Sequence, residues 1–396
     1  MRYRKFKADH LFDGKDILNG DNVLITNEKG VIENVIDLRD AGEDIEVFRG
    51  LLSPGFVNCH CHLELSHMKD VIKGGTGLVD FLIKVVGERS AVKKEIEAAM
   101  KAADKEMYDG GIVAVGDICN TTNSLQTKPG SKIRYHNFIE ALGFTEERAK
   151  IALDNYLNVY KEFVDAGFEK NTSIVPHAPY TISTAMFRLI NNFSAGKIIS
   201  IHNQESLAED ELYQTRTGDF FRLYHHLNIN TDFFHPYNKT SLQSYLPLLD
   251  KAQNLLLVHN TFTTQNDIDF SFEQTHRTNQ QVYWCLCPNA NLYIENKLPP
   301  VELLMQNNCN ITIGTDSYSS NHSLNVLDEI KTLLKNFPVL HMQYPLQWAT
   351  LNGAKALGFD ETFGSFERGK QPGIVLIDNI IEEKISGYSV ATRIYN

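Results

Sequence analysis

Two histidines one residue apart carry the first recognisable chemistry in this sequence. They are His60 and His62, in the stretch Ser53-Pro-Gly-Phe-Val-Asn-Cys-His-Cys-His-Leu-Glu-Leu-Ser. On an extended strand, side chains alternate between faces, so residues two apart point the same way. Two neutral imidazoles converging on one point make a site for Zn²⁺ or a similar borderline ion. The same spacing also fits a polar strand face, so the pair by itself decides nothing. What matters is whether the rest of the chain supplies further ligands.

Candidates recur where apolar runs end. The sequence contains eight such runs: 56–60, 112–118, 133–142, 172–177, 197–202, 255–259, 282–287 and 311–315. His60 and His62 close the first, His177 the fourth, His202 the fifth and His259 the sixth, and Asp316 follows the eighth. Each has an ordinary alternative: a buried histidine can be a satisfied core residue, and Asp316 in Gly-Thr-Asp-Ser can cap a helix. Their joint placement argues otherwise, because metal-capable groups at several strand ends would meet at one mouth. Glu140, near the end of the third run, either points into that mouth to bind polar groups of a substrate or is a buried carboxylate with a basic partner.

The elements needed to hold such residues are legible as well. The runs are almost continuously apolar, as parallel strands buried on both faces must be. Helix-period segments separate them, among them 78–108, 146–166 and 324–336. This alternation predicts an α/β fold, a (β/α)8 barrel of the TIM type, with an open doubly wound sheet as the alternative. Residues 1–54 read instead as short strands broken by turns, and a strand signature returns at 374–378 after a helical stretch at 347–357. The predicted organisation is therefore a barrel over 55–345 and a small composite β-sandwich built from 1–54 and 346–396. The connection 206–254 is long for a barrel loop. Its Phe233, Phe234, His235, Pro236 and Tyr237 suit either a pocket wall or a self-packed surface elaboration.

Composition narrows the class. At 396 residues, 42% hydrophobic and 22% charged, the chain reads as an ordinary globular protein. A net charge of −11 argues against nucleic acid as a partner, because phosphate binding needs a concentrated basic surface. No apolar run approaches the roughly 20 residues of a membrane span. The basic N-terminus lacks the apolar stretch of a secretory signal, and the six cysteines show no disulfide framework, so a cytoplasmic location is expected. Cys59, Cys61, Cys285 and Cys287 read as core, and Gly74-Gly-Thr-Gly-Leu as loop. A homodimer is left open, since no residue establishes an interface.

An ordered set of motifs across nearly the whole chain resembles the amidohydrolase superfamily. The matching pieces are Pro54-Gly-Phe-Val-Asn-Cys-His-Cys-His, Pro176-His-Ala-Pro-Tyr-Thr-Ile-Ser, Ile201-His-Asn-Gln-Glu-Ser, Val258-His-Asn, Cys287-Pro-Asn-Ala-Asn-Leu, Ile313-Gly-Thr-Asp-Ser and Ala349-Thr-Leu-Asn-Gly-Ala-Lys-Ala-Leu-Gly. The pattern is similar to the metal-dependent deaminase and chlorohydrolase branch, including S-adenosylhomocysteine and aminodeoxyfutalosine deaminases. Leu63-Glu-Leu-Ser is similar to the latter.

The resemblance implies His60, His62, His202 and Asp316 as ligands of one divalent metal, Zn²⁺ in first place and Fe²⁺ the alternative. It implies Glu205 as the proton shuttle and His259 as the group hydrogen-bonding the attacking water or the substrate. Asp316 also takes a proton from that water, and His177 contacts substrate. The fourth run offers no lysine or glutamate to bridge a second ion, which points to a single metal. The implied activity is deamination of an aminated heterocycle, whether purine, pyrimidine, pterin or nucleoside. Hydrolysis of another C–N, amide or C–Cl bond is the alternative, and a non-catalytic scaffold is disfavoured because every expected ligand is present.

Overall fold

The computed structural model describes residues 3–231, 234 and 238–395. Seven short strands come first: β1 (Tyr3–Lys7), β2 (His10–Phe12), β3 (Ile17–Leu18), β4 (Asn22–Asn27), β5 (Ile32–Asp37), β6 (Ile45–Val47) and β7 (Leu51–Pro54). Next come β8 (Phe56–Cys61), β9 (Ile112–Cys119), β10 (Arg134–Ala141), β11 (Thr172–Pro176), β12 (Ile198–Asn203), β13 (Asn254–His259), β14 (Gln281–Leu286) and β15 (Asn310–Ile313). The chain ends in β16 (Ile374–Ile377) and β17 (Ala391–Tyr395).

Strands β8 to β15 coincide with the apolar runs of the sequence and form two four-stranded sheets, β8-β9-β10-β11 and β12-β13-β14-β15. Every pairing within them is parallel, and neighbours in sequence are neighbours in space. Neither sheet has the order reversal of a doubly wound fold. Contacts join the two sheets on both flanks. Beyond β11, the His177 carbonyl accepts from the His202 amide at 3.0 Å. On the opposite flank the His60 carbonyl accepts from the amides of Thr315 and Asp316, both at 3.0 Å, in a parallel bridge between Cys61 and Asp316.

Helices connect these strands, with two departures from the expected pattern. The segment 78–108 is two helices, Leu78–Glu88 and Lys93–Asp109, rather than one. No helix lies between β9 and β10, where short 3-10 turns at Asn123–Gln126 and Lys128–Gly130 make the crossover. Pro129 and Gly130 do not propagate a helix. Lys128 turns inward instead, to pair with Asp117 of β9 at 2.6 Å with both side chains fully buried. The helical stretch near 347–357 begins earlier, at Gln343, and carries a π turn over Trp348–Asn352.

The terminal strands combine as the sequence predicted. One sheet, β17-β16-β7-β2-β3, mixes both ends of the chain, and another, β5-β4-β1-β6, is wholly N-terminal. Phe6, Leu11, Leu24, Leu52, Phe366 and Ile374 form one core between them. A much larger core surrounds β8–β15 and includes Cys59, Cys61, Cys285 and Cys287, all fully buried. The glycine stretch at 74–77 is loop. No described helix is long and apolar enough to cross a membrane.

Candidate active site

His60 lies on β8 with His62 just past its end, His202 on β12, and Asp316 follows β15. Their polar atoms meet in a cluster. Nε2 of His62 stands 3.1 Å from Nε2 of His60 and 3.3 Å from Nε2 of His202. Oδ1 of Asp316 is 3.5 Å from His60 Nε2 and 3.3 Å from His62 Nε2. Donors sharing an ion at about 2.1 Å lie about 3.0–3.6 Å from one another, so these spacings fit a divalent cation. The protonation pattern fits as well. His202 Nδ1 lies 2.8 Å from the carbonyl of His177, which can only accept, so Nδ1 carries the proton and Nε2 offers its lone pair to the cluster. Ser320 donates to Oδ2 of Asp316 at 2.5 Å and turns Oδ1 toward the imidazoles.

Electrostatics keep these groups in ligand form. Burial holds the His62 imidazole down at about 3, opposed by Asp316 and reinforced by the neighbouring histidines. Burial and the surrounding imidazoles depress His202 well below its ordinary value. Burial would raise the Asp316 carboxyl, but the hydrogen bond from His60 and the imidazoles of His62 and His259 outweigh it and hold the group ionised. Neutral imidazoles and a carboxylate are the forms that bind metal.

Beside the cluster, Glu205 Oε1 lies 3.6 Å from Nε2 of His259. Burial, aided by the charges of Asp316 and Glu295, pushes the Glu205 carboxyl well above its usual range. His259 Nδ1 faces Asn291 Oδ1 at 3.1 Å; the amide nitrogen of Asn291 is committed to Thr261 and to the His259 carbonyl, so Nε2 is the end of the ring facing Glu205. Glu140, on β10, accepts from Asn120 Nδ2 at 2.8 Å through Oε2, while its buried Oε1 has no hydrogen-bond partner and lies 3.5 Å from His202 Nδ1. Burial raises Glu140 to about 7, against the pull of Asn120, His60 and Arg89. Among the described residues no lysine or arginine forms a salt bridge with it, and His202 is its partner at 3.5 Å. His177, just past β11, is lowered to about 3 by burial, with smaller contributions from His60, Arg89 and His259, and its Nδ1 meets Thr181 Oγ1 at 3.0 Å.

His62, His202, Asp316, Glu205, His259, Glu140 and His177 line one cavity of about 140 Å³. Its outer wall is apolar: Leu78, Phe81, Leu82 and Val85 come from helix Leu78–Glu88, Leu142 and Phe144 from the end of β10, and Leu223 and Leu227 from the long connection. That connection therefore does contribute a pocket wall, through helix Phe220–His226. Of its suggested residues, Phe233, His235, Pro236 and Tyr237 lie outside the described residues, and Phe234 packs edge-on against Tyr213 rather than lining this cavity. The backbone is strained around the polar end. Gln204, His259, Asn260 and Asp316 all have positive φ, at 46°, 77°, 60° and 58°. Non-glycine residues in that region cluster at functional sites.

A family model described as "Amidohydrolase family" matches residues 51–395. The chain belongs to this family. This amidohydrolase is 27% identical over 330 residues to an adenosine deaminase of Helicobacter pylori, a match covering 81% of this chain and 77% of the relative. It is 26% identical over 336 residues to an aminodeoxyfutalosine deaminase of Nitratiruptor sp., covering 83% and 79%. Among solved structures, Helicobacter pylori aminofutalosine deaminase in complex with methylthio-coformycin superposes with a TM-score of 0.79 at 23% identity, covering 97% of this chain and 93% of that one. A Xanthomonas campestris adenosine deaminase with bound zinc gives 0.71 at 22% identity, covering 98% and 89%.

Several residues of this amidohydrolase's site carried no signal of their own in the sequence. Arg89 lines the cavity from the end of its helix, and Asn120, Ser317 and Ser319 line it from loops. Ser320 and Asn291 act through Asp316 and His259. Only Asn291 and Ser317 stand in motifs named from the sequence, Cys287-Pro-Asn-Ala-Asn-Leu and Ile313-Gly-Thr-Asp-Ser.

Proposed function

We propose that this amidohydrolase is a metal-dependent aminohydrolase that releases ammonia from the amine-bearing ring of an adenosine-type nucleoside. The observation that carries the reading is a buried Glu205, 3.6 Å from His259, at the junction of the imidazole–carboxylate cluster and an apolar cavity. His60, His62, His202 and Asp316 would hold the metal, with Zn²⁺ first and Fe²⁺ second. When bound, such an ion makes water a competent nucleophile near neutral pH. Asp316 Oδ1 accepts a proton from the attacking water. His259 Nε2 accepts a hydrogen bond from the same water and fixes its direction. Glu205 delivers its proton to the ring nitrogen next to the amine-bearing carbon, so negative charge does not build up there as the C–O bond forms. The Glu205 carboxylate so formed takes the proton of the new hydroxyl and passes it to the amine as the C–N bond breaks and ammonia leaves, and the proton held by Asp316 restores Glu205. Glu140 and His177 contact the sugar or the ring, and the apolar wall packs on the flat faces of the base.

Three points favour this reading over release of chloride or a carboxylate. Glu205 and Asp316 line the same cavity as an acid and a base, the cavity has an apolar wall suited to a planar ring, and the relatives described above are named as deaminases. In the same reading the two parallel sheets are halves of one (β/α)8 barrel, supported by the hydrogen bonds on both flanks. Residues 1–54 and 346–396 then make a β-sandwich domain around a barrel of 55–345. The test is an ammonia-release assay on zinc- and iron-loaded protein with adenosine, 5′-deoxyadenosine, methylthioadenosine, S-adenosylhomocysteine and aminodeoxyfutalosine, run beside a chloride assay on chlorinated triazines. Ammonia from at least one nucleoside is expected. Chloride release with no ammonia sinks the deaminase assignment.

A further inference from the structure

Glu205 sits on a short bridge between β12 and helix Leu207–Thr215, and the direction of its side chain depends on how that bridge turns. The turn is made by Gln204, at φ +46°, a left-handed conformation that side chains disfavour. Local propensity does not hold it there. The Gln204 amide donates to Glu209 Oε1 at 3.0 Å, and its carbonyl accepts from Phe262 N at 3.0 Å. Its side chain donates to Asp267 Oδ2 at 3.0 Å and accepts from Thr263 Oγ1 at 2.8 Å. The next amide, that of Glu205, donates to the other oxygen of Glu209 at 3.3 Å. Ser241 Oγ, from a helix of the long connection, bonds the same carboxyl.

Glu209 is the third residue of its helix, after the N-cap Ser206. In a capping box, the carboxyl at that position reaches back to the N-cap amide. Here it reaches past Ser206 to two consecutive amides, one for each oxygen. Only a carboxyl can do this, because an amide side chain would set an N–H against one of the two donors. Glu209 is 0% exposed and does not line the cavity, so it has no route to substrate.

We propose that Glu209 is the positioning residue for Glu205: its two oxygens clamp the amides of Gln204 and Glu205, hold the left-handed turn, and so aim the Glu205 carboxyl at the reacting ring. The long connection thereby gains a second role, since Ser241 orients the clamp. This inference rests on the proton-donor role given to Glu205 above.

The test compares the metal-loaded wild type with Glu209→Gln and Glu209→Ala, each also made on a Glu205→Gln background. Glu209→Ala is expected to lower kcat about 10²-fold, the cost of misplacing a reacting group by about 1 Å, with KM within about threefold and metal content unchanged. Glu209→Gln, which keeps the volume and one acceptor, falls between it and wild type. On the Glu205→Gln background either change is expected to have almost no further effect, because the residue it serves is gone. A loss of the same size on both backgrounds, or KM rising in step, marks a general structural defect and overturns the proposal.

If Glu209→Ala does not fold, Glu209→Gln carries the comparison. A second measurement does not need turnover. Amide exchange at Gln204 and Glu205 should be at least about tenfold faster in Glu209→Gln, with helix Leu207–Thr215 otherwise protected as in wild type. Unchanged exchange at those two amides overturns the clamp. If wild type releases no ammonia from any nucleoside, the deaminase reading fails while the exchange measurement still decides the clamp.

Discussion

Burial, at 5% exposure, and the charge of Asp316 push the Glu205 carboxyl well above its usual range. Burial would raise Asp316 too, but the hydrogen bond from His60 and the imidazoles of His62 and His259 hold its carboxyl down, which suits the acid role proposed for Glu205 and the base role proposed for Asp316. Two carboxyl groups in one cavity are thus driven apart by their surroundings, the usual way a site divides acid from base work. Replacing Glu205 with Gln preserves size and hydrogen bonding but removes the transferable proton. The expected result is unchanged metal content by elemental analysis and kcat for ammonia release reduced about 10²- to 10⁴-fold. Turnover within tenfold of wild type would remove Glu205 from the mechanism.

At the scale of elements, the site depends on how closely the ends of β8 and β15 approach. Gly314 makes this approach: a Cβ there would stand 2.7 Å from His60 Cβ and 3.0 Å from the sulfurs of Cys285 and Cys287. Gly314→Ala is expected to push His60 off the cluster and weaken metal binding by more than tenfold in a chelator competition, about 1.4 kcal/mol or more. Unchanged affinity would show that the strand ends can yield. The helix-free crossover between β9 and β10 supports the same region. Asp117, paired with Lys128, accepts the Leu63 amide at 2.8 Å, directly after His62. Lys128→Met strands the Asp117 charge in the core, an expected cost of about 3–5 kcal/mol in denaturant unfolding. The double variant with Asp117→Leu should recover much of that loss, because the pair is then replaced by apolar groups rather than broken.

For the molecule as a whole, acid stability follows from histidines folded in neutral form. His136 on β10 lies outside the cluster, and burial, with the charges of Lys197 and Lys128, lowers it to about 3. The unfolded chain takes up a proton at this residue near pH 6.5, while the folded chain resists until about pH 3. Its contribution to stability is therefore complete above about pH 6.5, falls as the pH drops, and is exhausted near pH 3. The slope is about 1.4 kcal/mol per pH unit for one proton. His136→Phe should remove that slope, so that urea midpoints for variant and wild type converge as the pH falls from 7 to 4. Parallel curves would mean that His136 does not stay neutral in the fold.

The sequence by itself determined the parts that depend on local periodicity. The period of two placed His60 and His62 on one face, the apolar runs marked β8 to β15, and the residues ending those runs marked the cluster, because strands buried on both faces leave polar groups only at their ends. The strands at both termini pointed to a composite sheet, although β1, β2, β3, β6 and β17 are too short to stand out. Contacts between distant, individually unremarkable residues were invisible. No motif or period marks Glu209, Asp117, Lys128 or Arg89, and only tertiary structure buries the first three and turns the fourth to the cavity. The clamp on Gln204 and the pairing of Lys128 in a crossover without a helix were likewise decided by packing. A polar side chain with no partner nearby in sequence reveals its role only when folding removes water from it and leaves one partner in reach.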